Sequence, residues 1–127
     1  MIYYYIIEIN IYSKSANIAD LDALLQKNNP IFNTMKLPYQ IEVDKQQWRC
    51  EIKRTEDSEC FDFISFFSSM LKDNFKNLRT FGIKKEDITI WLLYEYDQQC
   101  NMEFSKHQLK KLASLGITFC ISCWQKD

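Results

Sequence analysis

Glycine and proline are nearly missing from this chain, with 2 of each in 127 residues. A phosphate-cradling loop needs several glycines close together and a flexible or stiff linker needs a run of glycine or proline, so neither device is expected. Histidine is scarcer still. His107 stands alone, which excludes multi-histidine metal sites and leaves a single imidazole for general-base chemistry at neutral pH. No sign of charge dominates either: 16 basic and 17 acidic residues give a formal net charge of −1. A nucleic-acid binder must neutralise several phosphates with a basic face, and this balance argues against that class. No segment approaches the roughly 18 apolar residues of a membrane span. The start, Met1-Ile-Tyr-Tyr-Tyr5, lacks the basic residues of an export signal, and Glu8 and Asn10 interrupt its apolar stretch. Cys50, Cys60, Cys100, Cys120 and Cys123 are odd in number and unevenly spaced. That is no disulfide framework, and the expectation is a reduced, cytoplasmic protein.

What is present suits one domain over residues 1–127, since 46% of the chain is hydrophobic and 26% charged. From Ile2 to Tyr12 both alternating faces begin apolar, which predicts a central strand. Asn17 can cap a helix bearing Ile18, Leu21, Leu24 and Leu25 on one face, ended by Asn28-Asn-Pro30. Tyr39, Ile41 and Val43, then Trp48, Cys50 and Ile52, alternate with polar residues around a turn at Lys45 and Gln46, predicting an antiparallel hairpin. Phe63, Ile64, Phe67, Met70, Leu71, Phe75, Leu78 and Phe81 mark one long helix with Gly82 at its end. Ile88 to Tyr96 predicts a largely buried strand, Cys100-Asn-Met-Glu-Phe104 another, and Thr118 to Trp124 the last. Between them, Ser105 with Gln108 forms a capping box for a helix bearing Leu109, Leu112 and Ala113 that stops at Gly116.

The predicted fold is therefore α+β, a two-layer sandwich in the order βαββαββαβ, with three helices and a mostly antiparallel, partly mixed sheet of about six strands. Its first six elements follow the ferredoxin-like order, which the remaining three extend. That architecture supports many functions and identifies none.

Candidate sites are few. No nucleophile or carboxylate is tied to His107 by spacing, and its place near a helix start suits an ordinary solvent-facing imidazole. Cys120-Ile-Ser-Cys123 has the spacing of a zinc or redox pair, but inside a strand an odd spacing sends the sulfurs to opposite faces, so buried structural thiols are expected and no metal or cofactor. Glu56, Asp57, Glu59 and Asp62 lead into the long helix, where acids compensate the dipole and also offer a landing patch for a basic partner. Glu95 and Asp97, at a strand end, are the second acidic pair. Trp48, Trp91 and Trp124 all lie in strands, where an exposed one would mark an interface anchor.

The opening aromatic strand, Asn17-Ile-Ala-Asp-Leu21 with Leu24-Leu25, the lone Trp48 before a long helix, Trp91-Leu-Leu-Tyr-Glu95, and Phe104-Ser105 with Leu109, Leu112 and Leu115-Gly-Ile117 together resemble a family of small bacterial domains of unknown function. Such domains are similar to the immunity proteins of polymorphic toxin and contact-dependent growth inhibition systems. The resemblance spans nearly the whole chain and rests mostly on structural positions. Family members often carry a glycine-containing loop between the first helix and the hairpin, which this chain lacks, and no catalytic residue carries over. The resemblance implies a non-enzymatic, cytoplasmic immunity protein, monomeric or homodimeric, that occludes the active site of a cognate basic toxin domain. Glu56, Asp57, Glu59, Glu95 and Asp97 would bind that partner, with neither nucleic acid nor membrane involved. The alternative is a small-ligand or regulatory binding domain that uses an open sheet face.

Overall fold

A computed structural model describes residues 4–14, 17–28, 39–55, 62–98 and 102–125. Among them, strand β1 (Tyr4–Tyr12) is followed by helix α1 (Ile18–Asn28), β2 (Tyr39–Val43), β3 (Gln47–Thr55), α2 (Phe63–Lys72), α3 (Phe75–Thr80), a 3-10 turn (Lys85–Asp87), β4 (Ile88–Tyr96), α4 (Lys106–Leu115) and β5 (Thr118–Gln125). The strands form one mixed sheet in the order β2-β3-β1-β4-β5. β1 runs antiparallel to both β3 and β4, while β5 lies parallel to β4. The aromatic opening strand is thus central, as its two-sided apolarity requires.

Register explains the layers. Ile11 is opposite Trp48 and Ile88, and Cys50 and Ile90 share the level of Ile9. These positions share one face of the sheet, and Ile11, Trp48, Cys50, Ile52, Ile88 and Ile90 are all fully buried there. They form a single core with Leu21 and Leu25 of α1, Ile64, Phe67, Met70 and Leu71 of α2, Leu78 of α3 and Leu115 of α4. All the described helices therefore cover the same face, giving two layers. α1 is pinned at both levels. Asn17 Oδ1 accepts from the backbone N–H of Ala19 and Asp20 at 3.0 and 3.3 Å, and the buried Trp48 indole donates to Asp22 Oδ1 at 2.8 Å.

Three expectations need correction. The long helix divides at Asp73 and Asn74 into α2 and α3. Asn74 is buried, its side chain donates to the Met70 carbonyl at 2.7 Å, and its backbone N–H turns to Leu71 instead. A side chain that takes its own i−4 carbonyl displaces the ladder bond and breaks the helix. Gly82, at φ 78°, then ends α3, with the N–H groups of Gly82 and Ile83 donating to the carbonyls of Arg79 and Leu78.

The second correction is the strand count: the sheet has five strands among the described residues, not six. Of the predicted strand over Cys100 to Phe104, residues 100 and 101 lie outside the described residues, and residues 102–104 form a connector without a ladder. Phe104 sits edge-on to Phe63 and Phe119, at centroid separations of 6.2 and 5.7 Å, and Phe63 stacks on Phe119 at 5.8 Å. Met102 and Phe104 are partly buried and Glu103 is exposed, so the alternation records burial of a connector rather than strand pairing.

Third, α4 is shallower than its apolar residues suggest, because Leu109 is 53% exposed and only Leu115 is fully buried. Its ends follow expectation. Ser105 and Gln108 form the reciprocal capping box, and Gly116 closes the helix at φ 67°.

Candidate functional site

No described element covers the second face of the sheet, and its two halves differ in chemistry. On the β2–β3 half, charges satisfy one another: Arg49 pairs with Glu42 across the strands, and Lys53 lies 3.9 Å from Glu51. Gln47 donates to the buried Asn10 side chain, which is opposite Arg49 in the ladder. The depressions on this half are small, about 150 Å³ beside Tyr39 and Lys53 and about 200 Å³ beside Glu42 and Arg49. Both fall below the roughly 300 Å³ at which small-molecule pockets begin. Neither of these two depressions, lined by described residues, would enclose a small ligand.

The β4–β5 half presents apolar and aromatic surface. Trp91 is opposite Cys120, Leu93 opposite Ser122 and Glu95 opposite Trp124. Trp91, Leu93 and Glu95 are half-buried, whereas Trp124 is 41% exposed. Glu95 has no ion-pair partner among the described residues. Asp97 follows directly, and its carbonyl accepts from Gln125 Nε2 at 3.1 Å, which ties the end of β4 to the end of β5.

β5 is an outer strand, and its sequence, Thr-Phe-Cys-Ile-Ser-Cys-Trp-Gln, contains neither charge nor proline. Ile121 is 46% exposed on it. Proteins normally guard a sheet edge with charge, proline or a bulge, because unpaired backbone groups there invite another strand. The opposite edge, β2, carries Glu42 and follows Pro38 directly in sequence. β5 lacks both protections.

Of the residues expected to meet a partner, Glu95 and Asp97 adjoin this surface, whereas Glu56, Asp57 and Glu59 lie outside the described residues. Asp62 is the N-cap of α2, accepting from the Ser65 backbone N–H at 3.0 Å and the Ser65 hydroxyl at 2.6 Å. Partial burial works to raise its carboxyl, but the Ser65 and Gln108 hydrogen bonds and the Lys111 charge prevail and hold it below the ordinary value. Lys111 Nζ donates to Ser65 Oγ at 2.7 Å. A serine beside a lysine is a hydrolase pairing in some enzymes, yet here the Ser65 proton is already given to Asp62 and Lys111 approaches as a donor, so the contact joins helices.

His107 is exposed near the start of α4, and among the described residues no three His, Cys, Asp or Glu side chains gather as a metal site. The expectation of buried thiols at Cys120 and Cys123 is overturned: Cys120 is half-buried and Cys123 exposed, because β5 is an edge strand. Among the described cysteines Cys50 is the buried thiol, and burial, aided by the Glu51 charge, pushes it up to about 12. The unguarded edge of β5 was the site feature missed from sequence. Its uncharged composition is visible, but only the sheet order shows that the strand is outermost among the described strands.

Compared with known proteins, the chain matches no family model, and no curated protein matches it significantly.

Proposed function

We propose that this protein is a partner-binding module of the immunity type, which neutralises a basic toxin domain by docking it along β5 and the adjoining end of β4. The observation that carries this reading is the exposed, uncharged edge strand bearing Trp124 beside the unpaired Glu95. A partner strand can add to the free edge through backbone hydrogen bonds, Trp124 and Ile121 supply apolar anchors, and Glu95 and Asp97 supply negative charge for steering. The interleaved order β2-β3-β1-β4 supports a ferredoxin-like unit, which β4-α4-β5 extends so that β5 becomes the available edge. The small size of the depressions on the open face weighs against a small ligand at that place.

The test is co-purification with the toxin domain encoded beside this gene, followed by calorimetry of wild type, Trp124→Ala and Ile121→Lys. Stable binding that both substitutions weaken supports the proposal. Binding indifferent to both, in folded variants, removes β5 from the interface.

A further inference from the structure

Two adjoining depressions on the helix side carry the opposite charge from the end of β4. The first, about 410 Å³, is lined by Lys72, Lys85 and Lys111 together with Ser68, Ser69 and Ser114, and no carboxylate is among its described lining residues. The second, about 390 Å³, is lined by apolar Ile83 and Ile88 with Arg79, Lys84 and one carboxylate, Glu86, and the two share Phe75 and Lys85. Each volume lies within the roughly 300–1,000 Å³ of small-molecule sites.

The three lysines come from three separate elements, the end of α2, the 3-10 turn and α4. None has a carboxylate within ion-pair distance among the described residues, unlike the paired Arg49 and Lys53 on the far face, although Lys111 donates to Ser65 at the rim and its charge also acts on Asp62. Converging like charges repel one another, and a bound anion relieves that repulsion. Lys85 is also held in position. Its ammonium lies 4.8 Å from the centre of the Phe75 ring, a cation–π contact. Its stem runs across Gly116, where an added Cβ would meet Lys85 Cδ at 3.3 Å and Nζ at 3.4 Å. Hydroxyl donors complete the set: Ser114 Oγ donates to the Lys111 carbonyl, but the hydroxyls of Ser68 and Ser69 have no protein partner among the described residues. Ammonium and hydroxyl groups together are what phosphate oxygens accept from.

We propose that these joined depressions bind a small phosphorylated molecule with an aromatic or apolar body, of the nucleotide class. The phosphates lie against Lys72, Lys85, Lys111 and the serine hydroxyls, and the body lies over Phe75, Ile83 and Ile88. A polynucleotide is disfavoured because it requires an extended basic face, whereas the whole chain has a net charge of −1. The site is independent of the β5 edge, so either reading can fail alone.

Calorimetric titration of the full chain with inorganic phosphate, pyrophosphate and adenosine triphosphate tests it. Adenosine triphosphate should bind one to one and more tightly than inorganic phosphate. Lys85→Met and Lys111→Met should each weaken binding about tenfold, the loss of one charge-assisted contact, and Lys53→Met on the other face should leave it unchanged. If Lys85→Met does not fold, Ser69→Ala and the amide shifts of Ser68, Ser69 and Ser114 on titration carry the same test. The proposal is overturned if none of the three probes binds at millimolar concentration, if the lysine variants bind as wild type does, or if a short single-stranded RNA binds more tightly than the nucleotide.

Discussion

Gln108 Nε2 donates to Asp62 Oδ1 at 3.2 Å, so the side chain that closes the capping box of α4 also touches the N-cap of α2. Each helix start is thereby tied to the other, and the connector bearing Phe104 is held between them. Gln108→Ala should lower stability by about 1 kcal/mol, the usual worth of a helix cap. A double-mutant cycle with Asp62→Ala, read from urea unfolding, should show that the two losses do not add. Additive losses would mean that the bond between the helices contributes nothing.

Asp62 also makes stability depend on pH. Its folded carboxyl titrates below the ordinary value of 3.8, so its contribution is complete above that value and is lost as pH falls through the lower folded one. Acid unfolding of wild type and Asp62→Asn should therefore converge at low pH, separate as pH rises toward 3.8 and differ by a constant amount above it. A difference that stays constant below 3.8 as well would contradict the assignment.

Trp48 is fully buried and its indole has Asp22 as acceptor. Asp22→Ala strands that N–H without solvent and should cost about 1–3 kcal/mol. Thermal unfolding followed by circular dichroism measures it, and an unchanged midpoint would place the indole differently.

Thiol chemistry separates the edge strand from the core. At mildly alkaline pH an alkylating reagent should modify exposed Cys123 before buried Cys50, whose thiol is raised to about 12. Peptide mass spectrometry reads the order, and Cys50 should react only when denaturant unfolds the chain.

Local signals were the legible part of the fold. Asn17, the Ser105–Gln108 box, Gly82 and Gly116 act within one turn of backbone, and the hairpin pairs neighbours in sequence, with Val43 opposite Trp48. What required the structure is non-local. Asn74 fits a helical pattern until burial turns its side chain back to Met70, and Met102 and Phe104 mimic a strand because an aromatic cluster buries them. Cys123 reads as a buried thiol until β5 proves to be an edge strand, and the same sheet order singles out Trp124 as the exposed tryptophan. Lys72, Lys85 and Lys111 are far apart in sequence, and only the packing of α2 and α4 beside the 3-10 turn gathers them.

The most direct test of the account is whether the chain rescues growth of cells expressing any toxin domain encoded beside its gene, comparing wild type, Trp124→Ala and the double reversal Glu95→Lys with Asp97→Lys. Wild type should rescue, Trp124→Ala should fail or require far more protein, and the charge reversal should slow association measured in vitro, with a smaller effect at high salt. Full rescue by Trp124→Ala together with unchanged association of the reversal variant would contradict the claim that this strand end is the binding surface.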